Sequence, residues 1–451
     1  MTARALLALF VATSVLATAN GAAETRTDAM PDRERYRQLA DETEAAFRRH
    51  VIGVWFPTCV DREHGGFRCD FTADWKAAPS NTGKFSVFQA RMTWITAEAS
   101  RRRADLKDRL LPITGHGAAF LKDHLWDNDR GGFYWGVNDD GSISSEYTDA
   151  KVLYGISFCI YGAAASHRAT GDADALKLAQ DGFRWVDQHA RDSTNGGYIE
   201  YLTRDGKPIE PDPNAREPQK VPVAGFPVGQ KSMNTHIHLL EALTELYQVW
   251  PDPVLRERFE SLRDVVRDRI CLEPGAMNLY FTNDWRPTSD RDSYGHDVET
   301  AFLLLEASEA LGQPDDAKTQ RMAKMLVDHS LAAGWDDEHG GFYREGKMLA
   351  SEADDTAKDW WVQFEGLNAL LMMHELYGKD DPRYFRAFEK QWRFIVDHQT
   401  DHERGGFYEQ CARDGKVVRA AKAQRWKEGY HDGRALLNVT DRLRKLAGRA
   451  N

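Results

Sequence analysis

No basic run stands out in this 451-residue chain, where 70 Asp and Glu outnumber 59 Lys and Arg for a formal net charge of −11. A nucleic-acid partner needs clustered positive charge to neutralise phosphates, so that class is set aside. Cysteine is sparse: Cys59, Cys69, Cys159, Cys271 and Cys411 stand apart with no C-x-x-C pair. That spacing argues against a zinc knuckle or a dithiol redox centre. A Cys59–Cys69 bridge is open to an exported chain, although buried, inert thiols are the simpler expectation. Low-complexity tracts are missing as well, and with 42% hydrophobic residues the chain can bury a substantial core. Long apolar runs are absent apart from the N-terminus. There Arg4, an apolar stretch from Ala5 to Ala17 and the small residues Asn20 to Ala23 read as a secretory signal peptide over 1–23. A periplasmic or secreted location follows, with no membrane contact after cleavage and 24–451 as a single catalytic domain.

What the chain does have is a rhythm. DREHGGFR, DNDRGGFY, DSTNGGYI, DDEHGGFY and DHERGGFY repeat Asp-x-x-x-Gly-Gly-aromatic, with paired glycines starting at Gly65, Gly131, Gly196, Gly340 and Gly405. The interval is about 65 residues, except for one double gap that a degenerate copy, CLEPGAMNLYFTNDW, fills around Gly275. Periodicity on this scale signals stacked supersecondary units. In each unit an amphipathic helix such as ALKLAQDGFRWVDQHA precedes the glycines, which supply the positive φ of a tight turn. A short hairpin follows, as in GGYIEYLTRDGKP and GGFYEQCARDGKV. Then comes a second, more apolar helix, as in AKVLYGISFCIYGAAA or AKDWWVQFEGLNALLMM.

Six such pairs predict an all-α fold, an (α/α)6 barrel with the apolar helices inside and the hairpins gathered at one rim. An open solenoid is the competing arrangement, but its terminal units would need a polar outer face that these lack.

The starts of the inner helices carry unusual polar and aromatic residues: Arg91, Tyr154, Asn234 with His238, His296 with Glu299, Trp361 with Glu365, and His431. Helical phase separates site from core. In NTHIHLLEALTELY, His236 lies on the Leu240, Leu243, Tyr247 stripe, which makes it a packing histidine. His238 shares the other face with Asn234, Glu241 and Glu245. In GHDVETAFLLLEA, His296 and Glu299 are three apart and neighbour each other, so the carboxylate is expected to orient the imidazole and favour its charged form. Any one of these residues could be an ordinary cap or surface group; agreement among corresponding points of several repeats is what argues for a site. His236-x-His238 invites a metal, yet residues two apart on a helix point to nearly opposite sides, so no metal site is expected.

The set K-x-x-x-x-Q-A-R-M-x-W at 84–94, NTHIHLLEALTELY at 234–247, SYGHDVE at 293–299, WWVQFE at 360–365 and W-x-x-x-YHDGR at 426–434 resembles the N-acylglucosamine 2-epimerase superfamily, nearest its cellobiose 2-epimerase branch. The resemblance spans essentially the whole chain after the signal peptide. It implies an (α/α)6 barrel acting on reducing sugars without metal or organic cofactor. It further implies His296 and His431 as the acid/base pair and His238 as a third site histidine. Arg91 would lie near the reacting oxygens, with Glu299 supporting His296, and Tyr154, Asn234, Trp361, Glu365 and Trp426 would be sugar contacts. LYGISFCIY departs from the usual Gln-Ala-Phe of the second inner helix, and Phe364 stands where Ala is common.

Inverting carbon 2 of an aldose means removing the weakly acidic proton beside the aldehyde and returning one to the opposite face. Two imidazoles on opposite walls suit both steps. The expected substrate is a mono- or disaccharide of cellobiose or mannobiose type, and the expected assembly a monomer or homodimer. An aldose–ketose isomerase would share the enediolate and deliver the proton to carbon 1. A glycoside hydrolase would want two flanking carboxylates instead. A non-catalytic sugar-binding protein would leave three histidines without a purpose.

Overall fold

The computed structural model describes residues 31–79, 83–145, 147, 150–212, 214 and 227–449. The expected signal peptide and much of the Pro-rich insert before Asn234 lie outside these residues.

Among the described residues, twelve helices make up the barrel. The inner ones are α2 (Ser86–Arg102), α4 (Leu153–Thr170), α6 (Met233–Val249), α8 (Tyr294–Ala310), α10 (Trp360–Tyr377) and α12 (His431–Arg449). The outer ones are α1 (Arg33–Ala46), α3 (Lys107–Phe120), α5 (Ala173–His189), α7 (Pro253–Val265), α9 (Ala317–Ala333) and α11 (Arg383–Phe394). Their sequences explain the division. Outer α5 starts at the Asp172 cap, whose side chain accepts from Asp174 N, and buries one stripe through Ala175, Leu178, Ala179, Gly182, Phe183 and Val186. Inner α4 is buried continuously from Leu153 to Ser166 and stops at Gly171, whose φ of 76° takes the left-handed cap. A helix apolar all round must be enclosed on all sides.

The inner helices touch in chain order, and α12 returns to α2. Arg102 of α2 reaches Asp441 at 2.7 Å, Asn438 at 2.8 Å and the Leu437 carbonyl at 2.9 Å on α12. The first outer helix packs on the last inner one, through Thr43 Oγ1 to Thr440 Oγ1 at 2.8 Å. This closure distinguishes the barrel from a solenoid. All five cysteines are buried and unbridged.

The repeated turn has a purpose that its letters did not disclose. In the unit containing Asp336, the carboxylate accepts from the backbone N–H groups of Glu338 and His339, while buried Lys358, just ahead of α10, donates to that carboxylate at 2.9 Å and to the Gly340 carbonyl at 2.6 Å. Gly341 must be glycine, for a Cβ there would lie 2.7 Å from Gln363 Oε1, on top of a φ of 95°. Lys84 with Asp61, Lys151 with Asp127, Lys231 with Asp192 and Lys422 with Asp401 repeat the clasp. The hairpins form, and strands also pair across units: 150–152, entering α4, runs antiparallel to 201–203 of the next unit. Each clasp thus anchors the start of an inner helix to the rim. In the degenerate unit Asp292 stands where the others have lysine and accepts from His329 at 2.8 Å.

These clasps set an acid limit. Burial alone would raise Asp192 and Asp336, but Lys231 and Lys358 outweigh it and hold both at about 2, against about 3.9 for free aspartate. A carboxyl depressed in the folded state contributes stability above its unfolded value, and that contribution is lost as pH falls through the folded one. Chemical-denaturation curves should therefore show stability falling between about pH 5 and pH 2, by about 2 kcal/mol per clasp. Asp336→Asn should flatten that slope. An unchanged slope in the variant would remove the clasp as its cause.

Candidate active site

Counted from the clasp residue, the inner helices line the barrel in layers. Three residues on lie Tyr154, Asn234 and Trp361; seven on lie Arg91, Phe158, His238, Glu299 and Glu365; ten on lie Trp94, Tyr161, Glu241, Phe302 and Asn368. Steps of three and four keep one helix face pointing at the axis. The sixth helix starts later and contributes His431 and Arg434, three apart on one face.

The middle layer is a bonded floor. Arg434, 2% exposed, donates to Glu365 Oε1 at 2.6 Å, to Glu299 and Glu241, and to the Tyr430 hydroxyl at 2.6 Å. His431 Nδ1 lies 2.6 Å from the same Glu365 oxygen and 3.9 Å from Glu299. Because that oxygen already accepts from Arg434, Nδ1 is the donor, which leaves Nε2 with its lone pair free. His238 Nδ1 pairs with Glu241 Oε2 at 2.9 Å, its ring against Phe158 at 4.8 Å and Tyr154 at 5.5 Å. Arg91 donates to Tyr154 at 3.3 Å and to Glu428 at 2.8 Å. Above this floor stands Trp361, whose ring lies 4.7 Å from that of His296 and 5.8 Å from that of His431. Trp426 packs on Phe85 at 4.9 Å and faces Tyr154 at 6.4 Å.

Enclosure sets the protonation states. Burial, reinforced by Arg91 and Arg434, pushes His431 well below its ordinary value. Burial likewise takes His296 down to about 4, although Glu299 pulls the other way. Glu365 rises well above the carboxylate range because burial and the nearby Glu299 outweigh Arg434. Burial would raise Glu241 too, but Arg434 and His238 hold it at about 2. At neutral pH the site presents two uncharged imidazoles, each ready to accept a proton.

The expected residues gather at one end of the barrel, with two changes of partner. Glu299 does not hold His296: as a floor residue it turns to the axis and binds Arg434, while Ser293 Oγ meets His296 Nδ1 at 2.8 Å. The charged imidazole expected there is overridden by desolvation. Glu365, expected to touch sugar, is fully buried beneath His431 and orients it. Asn234 keeps its place on the first turn of α6, and its Oδ1 has no protein partner. His236 is the packing histidine foreseen, between Ser232 O at 2.7 Å and Tyr198 N at 3.0 Å. Phe364 packs outward on Phe407 at 4.7 Å, away from the site. Arg434, Tyr430 and Glu428 went unforeseen. The i, i+3 spacing of His431 and Arg434 was the available signal for the first.

Among the described residues, two clusters have donor atoms close enough for a cation, Glu299–Glu365–His431 and Asp292–Asp297–His329. The first is already occupied by the Arg434 guanidinium. In the second, His329 is bonded to Asp292.

Residues 65–435 match the family model described as N-acylglucosamine 2-epimerase. A cellobiose 2-epimerase of Bacteroides fragilis is 30% identical over 410 residues, covering 89% of this chain and 98% of the relative. The solved cellobiose 2-epimerase of Spirochaeta thermophila superposes with a TM-score of 0.79 at 32% identity, over 92% of this chain and 98% of that one. A D-mannose isomerase structure is alike in fold, at 21% identity and TM-score 0.73 over 92% and 99% of the two chains.

Proposed function

The chain belongs to the N-acylglucosamine 2-epimerase family, and from that footing we propose that it inverts carbon 2 of the reducing-end aldose of a cellobiose- or mannobiose-type saccharide. The observation that carries the reading is that the rings of His296 and His431, from two different inner helices, both pack on one half-buried indole, Trp361, above carboxylates that Arg434 engages. Both imidazoles are neutral at rest, so either can begin the reaction as a base.

In the glucose-to-mannose direction His431 Nε2 takes the carbon-2 proton of the open-chain sugar. The imidazolium that results is stabilised by the Glu299 carboxylate, 3.9 Å from Nδ1, and by the hydrogen bond to Glu365. Charge develops on the two oxygens of the cis-enediolate, within reach of Arg91; a well-placed donor of this kind contributes about 3–4 kcal/mol to the transition state. That same negative charge favours the protonated form of His296, offsetting the burial that otherwise keeps it neutral. His296 takes up a proton from solvent and delivers it to the opposite face, and His431 releases the proton it removed to solvent, which restores both imidazoles. His238, held by Glu241, assists ring opening, and Trp361 and Trp426 receive the apolar faces of the sugar. No step calls for a metal or organic cofactor. Export to the periplasm or beyond, from the N-terminal stretch, forms part of the same proposal.

The test is incubation with cellobiose in D2O, with and without a chelator. An epimer carrying deuterium at carbon 2, formed equally in both arms, is the expected product. A ketose would replace this reading with aldose–ketose isomerisation, and released glucose would replace it with hydrolysis.

A further inference from the structure

One buried charge in the site has no duty in the mechanism above. Glu428 is 1% exposed and stands three residues before His431, on the loop that carries Trp426. Its Oε1 accepts from Arg91 Nη1 at 2.8 Å, and its Oε2 has no protein partner. The two buried arginines of the site are held quite differently. Arg434 meets three carboxylates from three inner helices, whereas among the described residues Glu428 is the one carboxylate bonded to Arg91.

Aromatic rings alone do not aim Arg91. Its guanidinium carbon lies 4.2 Å from the Phe158 centroid and 4.8 Å from that of Tyr430, two rings that meet edge to face with centroids 6.1 Å apart. Attraction of a cation to ring faces carries no hydrogen-bond direction, so it holds the guanidinium in place without aiming its N–H groups. The Tyr154 hydroxyl takes Nη2 at 3.3 Å, a long contact, and Nε is unbonded. The short, charge-assisted bond to Glu428 is therefore the contact that sets the rotation. It also joins α2, the first inner helix, to the last loop before α12, so the position of Arg91 is tied to that of Trp426 and His431.

We propose that Glu428 is the positioning residue for Arg91: it fixes the rotation of the guanidinium and neutralises it, so that Arg91 meets the enediolate as an aimed hydrogen-bond donor. This rests on the carbon-2 epimerisation reading. Uniform binding of sugar would be little affected, because the benefit appears only as charge develops on the oxygens.

A double-mutant cycle with Arg91→Met tests it, measured as kcat and KM for carbon-2 inversion alongside thermal melts. Glu428→Gln retains shape and an acceptor but loses charge, while Glu428→Asp retains charge but withdraws the carboxylate by one methylene. Each is expected to lower kcat about tenfold with KM within about threefold, a fraction of what losing a whole donor costs. In the Arg91→Met background, Glu428→Gln should cost nothing further, since its effect passes through Arg91. Overturning results are a wild-type kcat in both single variants, a raised KM at unchanged kcat (a direct sugar contact), or losses that multiply fully with Arg91→Met and follow the melting temperature (a structural role). A wild-type enzyme that inverts nothing at carbon 2 would sink the functional reading and this proposal with it. A wild type that epimerises beside an unaltered Glu428→Gln would sink this proposal alone.

Discussion

Replacing His431 by asparagine should lower kcat for epimerisation about 10³-fold, with the protein still folded. The direction of the loss matters more than its size. Of the two imidazoles packed on Trp361, His431 is the one whose Nδ1 is held by a carboxyl group, Glu365 at 2.6 Å, whereas His296 Nδ1 meets the Ser293 hydroxyl. If it is the base for the gluco-configured sugar, the variant should also cease to wash the carbon-2 hydrogen of that sugar into D2O. His296→Asn should behave otherwise. There the gluco sugar should still exchange its carbon-2 hydrogen through His431, while the manno epimer fails to accumulate. NMR of recovered substrate and product separates the two outcomes. Equal exchange losses in both variants would mean that the imidazoles do not divide the faces, and normal turnover in either would end the two-base mechanism.

The second large effect is on the fold. Arg434→Met should destabilise the protein by about 3–5 kcal/mol, because it strips the common counter-charge from Glu241, Glu299 and Glu365 and leaves buried carboxylates unpaired. Removing one partner of a buried ion pair costs far more than the pair was worth, since the desolvation of the remaining charge is no longer offset. Denaturant melts measure this directly. Adding Glu299→Gln and Glu365→Gln to Arg434→Met should recover part of the stability while activity stays lost, as His431 would no longer be oriented by a carboxylate. A destabilisation under about 1 kcal/mol, the range of exposed pairs, would show that the cluster is not the sealed charge layer described above.

Both predictions concern residues that sequence reasoning read unevenly, and the unevenness has a pattern. Period and phase are local properties, so they were legible. Five copies of Asp-x-x-x-Gly-Gly and one double gap announced six units, the apolar helices announced which ones lie inside, and the stripe through Leu240 and Leu243 separated packing His236 from His238. The clasp lysines were hidden in plain view. Lys84, Lys151, Lys231, Lys358 and Lys422 each lie between a rim turn and the inner helix after it, yet nothing in a single chain marks a lysine as buried until its aspartate, 21 to 39 residues upstream, is found beside it. His296 and Glu299 show the limit of phase more sharply: three residues apart on α8 made them neighbours, but α12, arriving from the far end of the chain, offered Glu299 a guanidinium.

By itself, then, the order of amino acids determined the number of helix pairs, the rim on which polar side chains collect and the family to which the chain belongs, because each of these follows from spacing within tens of residues. Which carboxylate serves which histidine, how Arg434 seals the floor and what holds Arg91 were decided only when the ring closed. Charge pairing depends on distances across the barrel axis, and those exist only after helices hundreds of residues apart have been brought side by side.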